Sequence, residues 1–473
     1  MRSPLVRALF VSCSWLIPLA CGGAGSGSGD PLRGGSAGTA AASGGSAGSA
    51  AGSNAVGASG AGADAGGADA VAGASAGAST STAGGGSVGM GGSGGGSGGA
   101  PLGFVHPGIL VNQGMLDFVK AKIAAGTAPW KNALSKVSSD SMGSLSYTAT
   151  PHATVECGPT SNPDIGCTDE KNDVIAAYTH ALIWYHTGDM KHAAKAIEIM
   201  NAWSAVLKKH TLDNEQLQAS WAAEIFPRAA EIIRYSNAGW AQADIEQFKI
   251  MLKTAYLPEV ANGSTRTGNW DTSAIDAAMN IAIFLDDTTE FAKAVALWRA
   301  RTPAYIYLST DGALPVQPPR QGALSATALK SYWYNPKQFV DGLTQESCRD
   351  VPGSGTAGFG HAQYGVAGII NAAETARIQG VDLFASEQKR LTAMLELHSK
   401  YLNGASIADL CNTAIAGVEA DPTWEIGYNA YANVLGQALP TTQTLIKSIR
   451  PTGATHHMAW ETLTHGDIGN AGL

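Results

Sequence analysis

Amphipathic segments with the period of an α-helix follow one another from residue 112 to residue 435, separated by short loops that contain glycine, proline or asparagine. In the first segment Met115, Phe118 and Val119 repeat at helical spacing, and Gly126 stops the pattern. The same reasoning predicts helices over 112–125, 173–187, 191–208, 217–235, 244–255, 270–285, 290–301, 359–379, 386–403 and 423–435. A run at 304–308 is strand-like. Helices paired in series predict an all-α fold, an (α/α) barrel or toroid of antiparallel hairpins whose inner helices line a central cleft.

The N-terminal part has a different composition. Residues 22–100 consist almost entirely of glycine, alanine and serine and contain no aromatic residue. Such a segment buries too little apolar surface to offset the entropy of ordering it, so we expect residues 21–100 to form a disordered tether. Residues 101–473 then form one folded domain, because helical toroids often exceed the usual domain length of about 150 residues.

Residues 1–20 have the features of a signal peptide. Two arginines supply the positive end, and residues 8–19 form an apolar stretch too short to span a membrane. A small residue before Cys21 and two glycines after it resemble a bacterial lipobox, whose cysteine is lipidated after cleavage, although Pro18 stands where leucine is usual. The alternative is an ordinary secretory signal. With lipidation, we expect an exported protein at the outer membrane or cell surface, with its domain periplasmic or extracellular.

The charge limits the partners. The formal net charge is −8, and the three basic and three acidic residues before residue 101 cancel, so the excess lies in the predicted domain. An acidic surface argues against a nucleic-acid partner. It permits an anionic polysaccharide as substrate, because one basic cleft is enough to bind an anionic sugar on an otherwise acidic surface. We expect a monomer that meets the membrane only through its lipid.

Four cysteines lie in the predicted domain. An even number in an exported chain indicates disulfides. Cys157 and Cys167 close a short loop rich in proline, glycine and asparagine, so we expect them to pair, which leaves Cys348 with Cys411. Zinc is the alternative, but no CxxC pair or nearby histidine cluster favours it.

Residues 331–364 are unusually dense in polar and aromatic side chains. They include Tyr332-Trp333-Tyr334, Gln345-Glu346, Arg349-Asp350 and His361-Ala362-Gln363-Tyr364. A second point of interest is Gly268-Asn269-Trp270, a glycine-containing loop that opens directly into a helix. There backbone amides favour an anion. The long loop at 311–330, with three prolines, is expected to form a lid or substrate wall.

Motifs in a characteristic order resemble the alginate-lyase-type polysaccharide lyases. They are His106-Pro107-Gly108 with Ala128-Pro129-Trp130, Gly268-Asn269-Trp270, Gln345-Glu346 with Arg349-Asp350 and His361, Gln379-Gly380-Val381-Asp382-Leu383, and Trp424-Glu425. The resemblance covers nearly all of residues 104–465 and is nearest to polysaccharide lyase family 38. It implies an (α/α) toroid that cleaves alginate or β-1,4-glucuronan by β-elimination without a metal or cofactor. The chain departs from its relatives in the glycine-rich segment 351–359, which lengthens the gap before His361.

The chemistry of a uronate lyase assigns the roles that the resemblance implies. The enzyme removes the proton at C5, beside a carboxylate, and expels the sugar oxygen at O4, so it must neutralise the carboxylate and supply a base and an acid. Asn269 and Arg349 are candidates for the carboxylate, and His361 is the base or a third neutraliser. Tyr334 and Tyr364 compete as the acid. Tyr364 shares a helical face with His361 because it follows three residues later.

Further residues are candidates for substrate contact. Two tryptophans can stack on sugar rings, and three polar residues lie beside the catalytic candidates. These are Trp270, Trp333, Gln345, Glu346 and Gln363. Each candidate has a structural alternative: an N-cap for Asn269, an ion pair for Arg349 and Asp350, and core packing for the tyrosines and tryptophans.

Two other functions stay open. A glycoside hydrolase needs two carboxyl groups about 5 to 10 Å apart, and Asp341, Glu346 and Glu425 are available. A non-catalytic surface lectin would retain the fold and bind the polymer without cleaving it. His457 and Glu461, next to His456, are spaced as metal ligands on a helix, but a third ligand is not evident, and no metal is expected.

Overall fold

The computed structural model describes residues 103–266, 268–350, 359–412 and 419–472. The predicted signal peptide, Cys21, the glycine-rich tether and most of segment 351–359 lie outside the described residues. Among the helices of the described part, none combines the length and the apolar character that crossing a membrane requires.

The described residues form mainly α-helices, joined by short loops. They are α1 (Gln113–Ala124), α2 (Trp130–Ser139), α3 (Cys167–Thr187), α4 (Met190–Val206), α5 (Glu215–Arg234), α6 (Gln242–Met251), α7 (Leu257–Val260), α8 (Asn269–Phe284), α9 (Thr288–Tyr305), α10 (Ala326–Tyr332), α11 (Gly360–Ile378), α12 (Leu383–Ser386), α13 (Gln388–Leu402), α14 (Glu425–Tyr428), α15 (Pro440–Ile449) and α16 (Glu461–His465). Two π-helical segments follow α6 and α14, at Leu252–Tyr256 and Asn429–Val434.

The strands are short. They are β1 (Thr154–Cys157), β2 (Asp164–Ile165), β3 (Lys209–Thr211), β4 (Ala454–Thr455) and β5 (Met458–Ala459). Strand β1 pairs antiparallel with β2 and parallel with β3, and β4 and β5 form a small hairpin.

Helices α3, α5, α8 and α11 form an inner ring. In the ring α3 packs on α5, α5 on α8, and α8 on α11, while α4 and α9 pack outside their hairpin partners α3 and α8. Every residue of α8 is buried, as expected for a helix that has neighbours on all sides. The fold is an (α/α) toroid, and the predicted fold class is confirmed.

Local signals in the sequence set several helix boundaries. Gly188 ends α3 in the left-handed conformation, and the Asp189 side chain accepts a hydrogen bond from Lys191 N to cap α4. Gly268, before α8, has φ +64°, and a Cβ there would lie 1.8 Å from Cδ of Glu346. Only glycine fits this position, because both the backbone angle and the close contact exclude a side chain.

The predicted strand at 304–308 is wrong. Helix α9 continues to Tyr305, where Ile306 N still donates to Thr302 O at 3.1 Å. Ile306 then makes one isolated bridge with Thr344. The apolar run is buried at the end of a helix, and periodicity alone does not distinguish this from a buried strand.

Both pairs of cysteines form disulfides, Cys157–Cys167 and Cys348–Cys411. Loop-closure entropy gives roughly 3 kcal/mol for the first and about 4 kcal/mol for the second, which closes the longer loop. The first bond joins β1 to the first residue of α3. The second joins segment 340–350 to the loop after α13, in a smaller apolar cluster with Trp333, Phe359 and Tyr401.

Candidate active site

A cleft of about 740 Å³ opens at one end of the inner ring. Its walls come from the ends of four inner helices, segment 349–350, the loop between β1 and β2, and the β4–β5 hairpin. Side chains that carry chemistry there are Lys171, Trp221, Arg349, His361, Tyr364 and His456.

The four inner helices all present their N-terminal ends to this cleft. Lys171 lies early in α3, Gln218 in the first turn of α5, Trp270 at the second position of α8, and His361 at the second position of α11. The N-terminus of a helix carries a partial positive charge and unpaired N–H groups. Four such ends meeting at one cleft favour an anionic ligand even though the chain as a whole is acidic.

His361 is held by a buried carboxylate. Its Nδ1 hydrogen-bonds Asp350 Oδ1, and its backbone N–H donates to Asp350 Oδ2 at 3.0 Å. The Asp350 side chain is fully buried, whereas that of His361 is partly exposed to the cleft. Because the carboxylate accepts from Nδ1, the neutral ring carries its acceptor lone pair on Nε2, as a general base requires.

Tyr364 lies one helical turn beyond His361. Its ring centroid is 6.0 Å from that of His361, 5.7 Å from Trp221 and 4.8 Å from His456. Burial, together with nearby carboxylates, raises the pKa of Tyr364 well above its usual range. The hydroxyl therefore stays protonated near neutral pH and can donate a proton or a hydrogen bond.

Arg349 is fixed by a buried carboxylate behind it. Its guanidinium pairs with Glu346, which also accepts from Asn269 N at 2.6 Å, Asn269 Nδ2 at 2.9 Å and Tyr305 Oη at 3.1 Å. Burial opposes the charge of Arg349, but Glu346 outweighs it and raises the pKa of the guanidinium. Glu346 engages one terminal nitrogen of a group with five N–H donors, so Arg349 can face the cleft as a permanent cation.

The structure separates the two candidate tyrosines. Tyr364 lines the cleft. Tyr334 is half-buried under Arg349, whose guanidinium carbon lies 5.7 Å from the ring centroid, and it is not among the residues that line the cleft.

Several predicted contact residues lie behind the cleft wall. Asn269 is 0% exposed and its amide donates to Glu346, so it does not face the cleft as a carboxylate ligand would. The buried Gln345 accepts from Gly268 N at 3.1 Å. The equally buried Gln363 donates to Glu419 O and accepts from Asp421 N, both at 2.8 Å. Asn269 and Gln345 thereby connect the start of α8, next to Trp270, to the segment that precedes Arg349.

The two predicted stacking tryptophans have different positions. Trp333 is 1% exposed and packs edge-on against Phe339 in the smaller apolar cluster, so the expected sugar contact is incompatible with its position. Trp270 lines the cleft, and the Arg266 guanidinium lies 4.3 Å from its ring centroid. The position of Trp270 is compatible with stacking on a sugar ring, and that contact stays a prediction.

Sequence reasoning missed Lys171, Trp221 and His456 as cleft residues. They come from three distant segments, and no local motif marks them. The His456 side chain, which we weighed as a metal ligand, packs against Trp221 and Tyr364, and burial lowers its pKa to about 3. Across the part of the chain that the structure describes, no three or more His, Cys, Asp or Glu side chains are grouped to hold a metal ion.

The family model described as alginate lyase matches residues 166–408. No curated protein has a detectably similar sequence.

Solved structures resemble the chain at low identity. Alginate lyase A1-III from Sphingomonas species A1 is 13% identical, with a TM-score of 0.51 over 77% of this chain and 97% of that one. An alginate lyase from Bacteroides ovatus is 13% identical, with a TM-score of 0.50 over 76% and 99%. A tetrasaccharide complex of an A1-III variant is 14% identical, with a TM-score of 0.51 over 77% and 97%. At this identity the likeness supports the fold.

Proposed function

This chain belongs to the alginate lyase family and is a polysaccharide lyase, and we propose that it cleaves alginate or β-1,4-glucuronan in the cleft at the N-terminal ends of the inner helices. One observation carries the proposal: Arg349, Tyr364 and the His361–Asp350 pair meet in that cleft. They supply the cation, acid and base that elimination from a uronate requires.

The proposed reaction begins at the substrate carboxylate. Arg349 and the positive helix ends stabilise the charge that moves onto this carboxylate when the C5 proton is removed. His361 Nε2 takes that proton while Asp350 stabilises the imidazolium that forms. The C5 electrons form the C4=C5 double bond, the C4–O4 bond breaks, and Tyr364 donates its proton to the departing O4.

The hydrolase alternative lacks the geometry it needs. Of its three candidate carboxylates, Glu346 is buried under Arg349, Glu425 is buried and paired with Arg450 at 2.6 Å, and Asp341 accepts from Ser309 N. None of them lines the cleft, where Asp350 is already bound to His361. A pair of carboxylates flanking a bond is therefore not available among the described cleft residues.

Incubation of the purified protein with alginate and with glucuronan should produce rising ultraviolet absorbance, because elimination leaves an unsaturated uronate at the new chain end. Product size, followed by chromatography, should fall in parallel. Chain shortening without absorbance would instead indicate hydrolysis. Binding without shortening would indicate a lectin and contradict the proposed function.

Export through an N-terminal lipid is part of the proposal. Two disulfides favour an oxidising compartment, and Cys21 with its small neighbours provides the acceptor. We expect the protein in the membrane fraction, and the Cys21→Ser variant in the soluble fraction as a monomer by light scattering. A wild-type protein that is soluble without detergent would contradict the anchor.

A further inference from the structure

A second cation, Lys171 of α3, lines the same cleft as Arg349. Lys171 lies in the first turns of α3, is half-buried and lines the cleft. Within the described residues its ammonium has no hydrogen bond or ion pair, whereas Arg349 is held by Glu346. The charge of Asp164 acts to raise the pKa of Lys171, but its carboxylate makes no hydrogen bond to the ammonium. It accepts a hydrogen bond from Thr168 Oγ1 at 2.6 Å instead.

An unpaired and partly buried ammonium is unfavourable in the free protein. Burial lowers the pKa of Lys171 because it removes water from the charged form. Nothing in the mechanism at His361 and Tyr364 uses this charge. An anion bound beside Lys171 would relieve the cost of burial, so the position favours an anionic ligand.

His456 lies near Lys171 and near the catalytic residues His361 and Tyr364. Its Nδ1 is 2.9 Å from Thr455 Oγ1, and its ring packs at 4.7 Å on Trp221 and at 4.8 Å on Tyr364. Burial and the charge of Lys171 keep the ring neutral. When the Thr455 hydroxyl donates to Nδ1, the proton of the neutral ring is on Nε2, which can then donate to an anion at the cleft.

We propose that Lys171 and His456 form a second carboxylate-binding point, which holds the uronate next to the ring that is cleaved. The inference rests on the proposed function, because it requires a uronate polymer, which carries a carboxylate on every ring. Arg349 and Tyr364 engage the reacting ring, and Lys171 and His456 line the same cleft. A neighbouring ring therefore brings its own carboxylate to an otherwise unpaired cation.

Lys171→Met should raise KM for alginate or glucuronan by about ten-fold while kcat changes less than two-fold, because a charge-assisted contact to bound substrate is lost and the reacting groups are untouched. Lys171→Arg should restore most of the affinity. The KM of the wild type should also rise more steeply with salt than that of Lys171→Met, since one ionic contact is missing in the variant.

Lys191→Met is the matched control, because it removes the same charge from an exposed position at the start of α4. Its KM should equal that of the wild type. An unchanged KM in Lys171→Met, or a loss confined to kcat, would overturn the inference while leaving the lyase activity in place. If no polymer is cleaved, calorimetric titration with uronate tetrasaccharides tests the binding site independently of the lyase activity. Weaker binding by Lys171→Met than by the wild type supports the site, and equal binding refutes it.

Discussion

Turnover by a His361→Ala variant should fall by about 10²- to 10⁴-fold, the usual contribution of a positioned general base. The imidazole lies at the second position of α11, partly exposed to the cleft, with Asp350 as its hydrogen-bond partner. Removing it creates no large cavity in the core, so helical content should stay at the wild-type level. Initial rates from ultraviolet absorbance, alongside circular dichroism, test both expectations.

The Asp350→Asn variant examines how the base is held. An amide in place of the carboxylate can present its N–H to Nδ1 and favour the wrong tautomer, so kcat should fall while substrate affinity stays near that of the wild type. A matched pair exists elsewhere: His152 Nε2 lies 2.8 Å from Asp169 Oδ2, and neither side chain lines the cleft. His152→Ala should therefore keep full activity. If His361→Ala also kept substantial turnover, His361 would have no essential part in the mechanism.

The helical part of the fold could be predicted because its signals are local. The sequence around Gly188 and Asp189 specifies the end of one helix and the start of the next. Burial of α8 and α11 inside the ring follows from their nearly continuous apolar and small residues. The extension of α9 to Tyr305 could not be predicted, because Tyr305 is buried by a contact with Glu346, a residue far along the chain.

The site could be predicted only in part, for a related reason. Arg349, His361 and Tyr364 lie close together in the sequence, and the order of motifs around them indicates their chemistry. The orientation of Asn269 depends on its hydrogen bonds with Glu346. These bonds are tertiary contacts, so the sequence near Asn269 does not show whether its side chain faces the cleft or the wall behind it. Lys171 and His456 lie near opposite ends of the domain sequence, so only the tertiary packing of the helices brings them to the same cleft.

Turnover by a Tyr364→Phe variant should fall about as much as that of His361→Ala, roughly 10²- to 10⁴-fold, because the variant lacks the proton that the departing O4 needs. Phenylalanine retains the ring contacts with Trp221 and His456, so the fold and KM should change little. Tyr334→Phe is the matched control, since Tyr334 lies under Arg349 outside the cleft lining. An inactive Tyr334→Phe together with an active Tyr364→Phe would reverse the assignment.

A synthetic substrate with an aryloxide at C4 separates the acid role of Tyr364 from a role as base. An aryloxide departs without a proton, so this substrate should restore most of the rate of Tyr364→Phe if the hydroxyl serves only to protonate O4. The same substrate should not rescue His361→Ala, because the C5 proton must still be removed. Equal failure of both variants on the aryl substrate would mean that Tyr364 also takes part in proton abstraction, beside the His361–Asp350 pair that holds its imidazole ready for that step.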